Sequence, residues 1–230
     1  MKLGIMQPYF LPYIGYLQLM KIVDKYVIYD DVNFIKRGWI NKNDILLNSQ
    51  SFLFTLNLLG ASQNKLINEI LVSDNQLKLL KTIQSAYQKA PYFSTVFPMV
   101  EKIIGYEDKN LARYIGNSLI QIVNYLQFDT ELIYSSDIQE KDNSLRAQDK
   151  VLNICAVMGA TEYINAIGGM ELYSKERFSK RNIKLSFLKT QPVEYKQLNN
   201  LFVPYLSILD VLMFNSIEQI YELLEQYELV

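Results

Sequence analysis

The chain has 230 residues, of which 50% are hydrophobic and 20% are charged, and its formal net charge is −1. This length and composition are typical of one globular domain with a sizeable core, and the near-neutral charge argues against a broad surface for nucleic acid or anionic membrane. The chain has no histidine and one cysteine. This excludes Ser-His-Asp and Cys-His catalysis, imidazole metal ligands and an internal disulfide, and leaves carboxylates, lysine and tyrosine as proton-transfer groups.

The first elements predicted along the chain are a strand, a helix and a second strand within about thirty residues, the size of one βαβ unit. The apolar run at residues 2–6 predicts a buried strand that ends before Pro8, because proline cannot donate to a sheet. Apolar residues at spacings of three after Pro12 predict a short helix. The second strand, at residues 26–29, ends at Asp30 and Asp31.

Ligands of such units bind at the carboxyl ends of the strands, where this chain carries polar and aromatic side chains. The candidate site residues after these two strands are Gln7, Tyr9, Tyr13, Tyr16, Asp30, Asp31, Lys36, Arg37, Trp39 and Asn41. We predict that Gln7, Tyr9, Tyr13, Asp30 and Lys36 line one anion-binding pocket, with Asp30 and Lys36 as candidate catalytic groups.

Each of these residues has a functional interpretation and a simpler structural one. Asp30 and Asp31 can hold Mg²⁺ with a nucleotide, although successive residues of an extended chain point to opposite sides and only one need face the site. Lys36 and Arg37 can clamp a phosphate or carboxylate, or be two solvated loop charges. Trp39 can serve only as a hydrophobic anchor. Most tyrosines pack with their rings inside, although those near residues 9–16 can line a pocket for sugar rings.

The rest of the chain is predicted to alternate strands and helices. Residues 33–74 form a strand-rich flap with a hairpin of segments 40–47 and 51–58, and residues 75–127 form a helical segment. The later predicted elements are strands at 131–135, 161–166 and 183–188, and helices at 144–158, 170–181, 203–213 and from 216 to about 227, with a charged linker at 138–143. Cys155 lies on the apolar stripe of the helix at 144–158 and is expected to be buried and inert.

Two further groups of candidate ligand-binding residues occur in this half. Asn165, Gly168 and Gly169 follow the fourth parallel strand, where glycine allows close approach by a ligand, although a plain turn also explains the glycines. Ser207 and Asp210 lie at the start of the helix after the fifth strand.

This order of elements predicts a single α/β domain spanning residues 1–230, built on a doubly wound, Rossmann-like parallel sheet of about five strands. The N-terminal strand should be central, since its apolar run is continuous rather than alternating. No run of eighteen apolar residues is present and no signal peptide precedes the first strand, so we expect a cytoplasmic protein without a membrane span.

Three segments of the first half carry a resemblance to a known family: MQPYFLPYIGY, DKYVIYDDV and KRGWINKN. They closely resemble the WbqC-like family of bacterial proteins, as do the later stretches ATEYINAIGG and LSILDVL. The resemblance implies a link to the synthesis of O-antigen and other surface polysaccharides.

A second resemblance concerns residues 12–16, Pro-Tyr-Ile-Gly-Tyr, which open the first helix. It is similar to the start of nucleotidylyltransferases and pantothenate-synthetase-like ligases that carry an HxGH motif, and it implies a HUP-type sheet in the order 3-2-1-4-5. Positions 13–16 here read Tyr-Ile-Gly-Tyr, so both histidines of that motif are replaced. The resemblance also implies that Ser207 and Asp210 occupy the region of a second phosphate-binding motif.

Three functions are consistent with these observations. The first is an enzyme that transfers an acyl or aminoacyl group to an amino sugar or nucleotide sugar for surface polysaccharide. The second is nucleotidylyl transfer, and the third is non-catalytic binding of a nucleotide or sugar in the same pathway. All three expect a small-molecule substrate, such as a nucleotide sugar or acyl donor, and no nucleic acid. Neither the oligomeric state nor a metal is fixed by the sequence.

Overall fold

The computed structural model describes residues 1–74, 76–198 and 201–230. Its strands are β1 (Lys2–Met6), β2 (Lys25–Ile28), β3 (Lys42–Leu47), β4 (Gln50–Thr55), β5 (Leu58–Leu59), β6 (Leu71–Val72), β7 (Glu131–Tyr134), β8 (Glu162–Ala166), β9 (Lys184–Thr190) and β10 (Tyr227–Leu229). Its helices are α1 (Ile14–Lys21), α2 (Gln76–Tyr87), α3 (Phe93–Ile104), α4 (Leu111–Leu126), α5 (Ala147–Val157), α6 (Lys175–Ser179), α7 (Ile208–Phe214) and α8 (Ile217–Leu224). Short 3₁₀ turns occupy Ile67–Glu69, Ser135–Asp137 and Ile167–Leu172.

The central sheet, among the described residues, has six strands in the order β10-β9-β8-β1-β2-β7. The strands from β9 to β7 are parallel, and β10 pairs antiparallel with β9. The predicted α/β class and the interior position of the N-terminal strand are therefore confirmed, and the parallel strands follow the predicted order 3-2-1-4-5. The expected number of about five strands is corrected to six, because Tyr227 begins a strand rather than ending the last helix.

Both faces of the sheet are covered by helices, which explains why β1 reads as a continuous apolar run. Leu3 and Ile5 are buried beside residues of α5 and α6 on one face. Tyr26 and Ile28 of β2 lie on the other face, in the larger core with α1, α4 and α8. Gly4 leaves room for the Tyr26 ring, since a Cβ there would lie 3.0 Å from it.

Several helices are shorter or later than the periodicity predicted. The helix expected at 203–213 is Ile208–Phe214, and the one expected to start at 144 starts at Ala147. The expected basic helix at 170–181 is divided between a 3₁₀ turn and α6. In each case the first part of the predicted helix is instead loop or 3₁₀ turn.

The segment between β2 and α2 contains the β3–β4 hairpin, whose turn residues Asn48 and Ser49 have positive φ angles of 51° and 67°. Both values suit a type I′ turn, the tightest connection between antiparallel strands. This segment is tied to the parallel sheet by backbone hydrogen bonds from Phe10 N to Ile40 O (2.9 Å) and from Asn68 N to Asp30 O (3.1 Å). Helices α2, α3 and α4 follow, although Asn75, the first residue of the predicted helical segment, lies outside the described residues.

No helix among the described residues is long and apolar enough to cross a membrane.

Candidate functional site

The two aspartates that end β2 point to opposite sides, as an extended chain requires. The Asp30 carboxylate is fully buried. It accepts hydrogen bonds from Ser136 N (2.9 Å), Ser136 Oγ (2.6 Å) and Asn68 Nδ2 (3.3 Å). Asp30 therefore joins the carboxyl ends of β2 and β7 to the segment that contains the hairpin.

The second aspartate, Asp31, binds two buried lysines. Its Oδ2 lies 3.0 Å from Lys141 Nζ and 3.0 Å from Lys150 Nζ, and the three side chains are only 11%, 2% and 7% exposed. Burial alone would raise the pKa of Asp31, but the nearby Ser135 hydroxyl and the ammonium groups of Lys150 and Lys141 outweigh burial and hold that pKa below its ordinary value. The Asp31 carboxylate thus forms ion pairs with two ammonium groups.

The backbone fixes where both lysines lie. Lys141 follows the 3₁₀ turn after β7 and donates back to the Ser135 carbonyl. Lys150 lies on α5, donates to the Asp31 carbonyl at 2.9 Å, and has its ammonium 5.2 Å from the centre of the Tyr29 ring. Carbonyl oxygens and an aromatic face stabilise an ammonium group without neutralising it.

These groups line a cleft of about 400 Å³ at the carboxyl ends of β2 and β7. We call it the lysine cleft; the side chains that give it its chemistry are Tyr29, Asp31, Asn33, Lys141, Arg146 and Lys150. Three cations and one carboxylate leave an excess of positive charge in a half-enclosed space. Such a cleft is suited to an anion, because two buried ammonium groups share one carboxylate and a second anion would balance their charge.

The aspartate pair does not suit the Mg²⁺ that the sequence allowed. Two ammonium groups already contact the Asp31 carboxylate, and a divalent cation would have to approach against them. Asp30 uses both of its oxygens for hydrogen bonds inside the core. Within the described ranges no cluster of three or more acidic, cysteine or histidine side chains is arranged to hold a metal.

The residues expected after β1 divide into two groups. Tyr16 is buried, its hydroxyl donates to the Gln7 carbonyl at 2.9 Å, and its ring lies 5.5 Å from that of Tyr9. Burial raises the pKa of Tyr16. Tyr13 instead pairs with Ser207 through an isolated bridge, and its ring lies 6.3 Å from that of Tyr205.

The candidate residues before the hairpin are mostly exposed. Lys36 and Arg37 make no hydrogen bond or ion pair to any residue that the structure describes, and Trp39 is 50% exposed with the Lys42 ammonium 5.5 Å from its ring centre. Asn41 donates to the Leu56 carbonyl at 2.9 Å, which joins the hairpin strands at their base. No contact among the described residues brings Lys36 to Gln7, Tyr9, Tyr13 or Asp30, so the single pocket expected from these five residues stays a prediction.

The glycine pair after β8 has a packing role in the structure. Asn165 is buried and its Oδ1 accepts from Ala166 N at 2.8 Å. A Cβ at Gly169 would lie 2.6 Å from Asn165 Nδ2, whereas a Cβ at Gly168 would meet nothing within 4 Å. Gly169 therefore makes room for a protein side chain, and neither glycine has a positive φ angle.

The last two candidates also contact protein groups. Ser207 caps α7 by accepting from Leu209 N (3.2 Å), and its hydroxyl donates to the Leu11 carbonyl (2.7 Å). Asp210 is fully buried and accepts from Tyr87 (3.0 Å), Tyr195 (2.7 Å) and Gln197 (2.7 Å). Burial raises the pKa of Asp210, although these three hydrogen bonds oppose the shift.

Sequence reasoning identified Asp31 but missed Tyr29, Lys141, Arg146 and Lys150. Lys141 lies in the segment that the sequence predicts to be a charged linker, and the apolar stripe of the helix that holds Lys150 predicts only a core position. One signal was available: Lys150 precedes the buried Ile154 by four residues, and that spacing puts both on one helical face. A lysine on the inner face of a helix calls for a carboxylate or a ligand.

Comparison with known proteins gives a family and two similar proteins. A sequence model of the WbqC-like protein family matches residues 7–222. The chain is 27% identical over 219 residues to the uncharacterized protein Rv1507c of Mycobacterium tuberculosis (strain ATCC 25618 / H37Rv), covering 93% of each chain. It is also 27% identical over 154 residues to the UPF0735 ACT domain-containing protein SH1278 of Staphylococcus haemolyticus (strain JCSC1435), covering 63% of this chain and 97% of that one. No solved structure matches.

Proposed function

The chain belongs to the WbqC-like protein family, and from that membership and the lysine cleft we propose that it is a transferase of surface-polysaccharide synthesis. The proposed substrate or donor carries a phosphate or carboxylate that binds in the cleft. The reaction we favour is transfer of an acyl or aminoacyl group to an amino sugar or nucleotide sugar of O-antigen. Its sheet is proposed to be of the HUP type, on the resemblance of the first βαβ unit, with residues 33–74 acting as a flap over the strand ends.

The observation that carries the proposal is the imbalance of charge around Asp31. Lys141 and Lys150 are both at least nine-tenths buried, and one carboxylate lies between them. Removing an ammonium group from water costs several kcal/mol, and one carboxylate can repay this for one lysine far better than for two. A purely structural ion pair would need only one lysine, so the second is best explained by an anionic ligand.

The proposal assigns different roles to the two residues predicted as catalytic. Asp30 positions Ser136 and Asn68 behind the cleft, since its oxygens accept hydrogen bonds there. Lys36 is an exposed cation without a partner among the described residues, and we propose that it closes on the bound anion from the flap.

The two other candidate functions have less support. Nucleotidylyl transfer would need phosphate-binding groups at positions 13 and 16, but the Tyr16 hydroxyl is donated to the Gln7 carbonyl inside the protein. A binding protein without catalysis would use the same cleft. Incubation with a nucleotide sugar and an acyl or aminoacyl donor, followed by mass spectrometry, separates a transferase from a binding protein.

Thermal shift with anionic ligands tests the cleft directly. UDP-N-acetylglucosamine and inorganic pyrophosphate are the probes, and a ligand at a hundred times its Kd should add about 2.7 kcal/mol, or roughly 5–11 °C for a chain of this length. Lys150→Met should reduce the shift strongly. Lys184→Met is the matched control, because Lys184 pairs with Glu162 at an exposed position on the amino side of the sheet. Equal shifts for Lys150→Met and the unaltered protein would refute the site.

A further inference from the structure

A second concave space lies at the carboxyl end of β9, beside the start of α1. It has a volume of about 280 Å³, and the residues that define it are Tyr13, Thr190, Gln191, Glu194, Phe202 and Tyr205. We call it the aromatic pocket. None of its described lining residues is cationic, so it differs in chemistry from the lysine cleft.

The floor of the aromatic pocket depends on a glycine. A Cβ at Gly15 would lie 2.4 Å from Thr190 Oγ1 and 2.6 Å from Tyr13 Cε1. Only glycine therefore allows the Tyr13 ring and the Thr190 hydroxyl to lie together over the first turn of α1.

The outer wall is a tyrosine that packing alone does not explain. Tyr205 is 78% exposed and has a φ angle of +61°, a conformation that bulky residues rarely adopt. Glycine or asparagine would make the same turn with less strain, and the ring of Tyr205 gains little burial in return. A ligand packed against the open faces of Tyr13 and Tyr205, whose ring centres lie 6.3 Å apart with planes at 54°, would bury the exposed ring.

The rim opposite is fixed to the core rather than loose. The Phe202 ring packs edge-on against Tyr195 at 5.1 Å, and the Tyr195 hydroxyl donates to Asp210 at 2.7 Å. Gln197 also donates to Asp210, at 2.7 Å, and joins Val203 through two hydrogen bonds of 2.8 and 3.0 Å. The buried Asp210 thereby holds the loop that shapes the pocket.

The chemistry of the lining selects the class of ligand. Apolar ring faces with a few placed polar groups are typical of small-molecule sites. Thr190, Gln191 and Glu194 can bond to hydroxyl or amino groups, while the Glu194 carboxylate repels phosphates. We infer that the aromatic pocket binds the pyranose ring of a saccharide acceptor, with Glu194 favouring a ring that bears a protonated amino group.

This inference rests on the proposed function only for the identity of the acceptor. The two sites share the carboxyl edge of the sheet, since β2 and β9 are parallel; these two strands are three strand spacings, or about 14 Å, apart. A donor anion in the lysine cleft and an acceptor sugar in the aromatic pocket would then approach the same edge.

Saturation-transfer NMR with methyl β-D-glucosaminide and methyl β-D-glucoside tests the pocket. Tyr205→Gly should weaken binding of both about tenfold or more while leaving thermal stability equal or higher, because it removes the ring and the φ strain. Glu194→Gln should weaken the glucosaminide alone. Leu201→Ala is the control, because Leu201 is 93% exposed in the same loop and does not line the pocket.

The outcomes separate the two sites. Binding of the glucosaminide that is lost in Tyr205→Gly and kept in Lys150→Met supports the inference. If neither glycoside binds at millimolar concentration, or if Tyr205→Gly binds them unchanged, the aromatic pocket is not a sugar site, whatever UDP-N-acetylglucosamine does. If Lys150→Met loses both the nucleotide and the glycosides, a single site is present and the inference is wrong.

Discussion

Asp31→Asn should destabilise the fold much more than Lys150→Met, although the two side chains bind each other. The substitution keeps the shape of Asp31 and removes its charge, which leaves two buried ammonium groups facing each other across an amide. Each Asp31–lysine pair at 3.0 Å is worth about 5–6 kcal/mol of Coulomb energy at an effective dielectric constant near 20. Much of this is offset by desolvation, and removing one partner of a buried pair typically costs about 3–5 kcal/mol.

Lys150→Met leaves a balanced pair of Asp31 and Lys141. It loses one attraction but also removes one desolvated cation, so its net cost should stay below about 1.5 kcal/mol and can have either sign. For a chain of this length, Asp31→Asn should lower Tm by roughly 6–20 °C, and Lys150→Met should change it by at most about 6 °C.

Urea unfolding followed by circular dichroism measures both free energies of unfolding. Glu228→Gln is a control, because it removes the carboxylate of an exposed ion pair with Lys189 and should cost no more than about 1 kcal/mol. A loss for Lys150→Met as large as that for Asp31→Asn would refute the reasoning, since the cluster would then be held by packing and not by a shortage of negative charge.

Four further outcomes are expected. Folding lowers the pKa of Asp31, so the stability that its charge contributes should be complete above the unfolded pKa of about 3.9 and be lost as the pH falls through the folded pKa. The free energy of unfolding of Asp31→Asn should therefore fall less steeply with acid than that of the unaltered protein. Parallel curves for the two proteins would contradict this. Lys36→Ala should weaken binding of an anionic ligand by about 1.5–3 kcal/mol in calorimetry and change stability by less than about 0.5 kcal/mol; unchanged affinity would remove Lys36 from the site. Gly15→Ala should cost about 1–3 kcal/mol of unfolding free energy, since its methyl group would meet the ring and hydroxyl above it, and a neutral effect would show that the aromatic pocket can relax. Cys155 is fully buried, and burial raises its pKa to about 12, so a thiol reagent should label it only on unfolding; rapid labelling of the native protein would mean that its helix is exposed.

The sequence predicted most reliably those features that depend on local patterns. The apolar run of β1 indicated a strand buried on both faces, and the segment expected to be helical at 75–127 contains α2, α3 and α4. The strand β10 was missed because three residues, Tyr227–Leu229, are too short for a period to be read. They are extended because β9 offers an unpaired edge.

The candidate site was predicted only in part, because its residues are brought together by tertiary structure. The position of Asp31 at a strand end followed from the sequence alone. Its partners Lys141 and Lys150 are more than a hundred residues away along the chain. They reach Asp31 because β7 pairs with β2 and because α5 packs on the face of the sheet that carries Leu3 and Ile5.

The sequence alone determined which residues can carry charge or hydrogen bonds and which strand ends present them, because strand periodicity and proline positions are local properties. The tertiary structure decided which of those groups face a cleft. Two pairs of residues that are close in sequence and similar in chemistry show this. Asp30 and Tyr16 make their hydrogen bonds in the interior, whereas their neighbours Asp31 and Tyr13 line a cleft. The placement of each side chain depends on the residues that it contacts in the folded protein, and those residues come from β7, α5, β9 and the loop before α7.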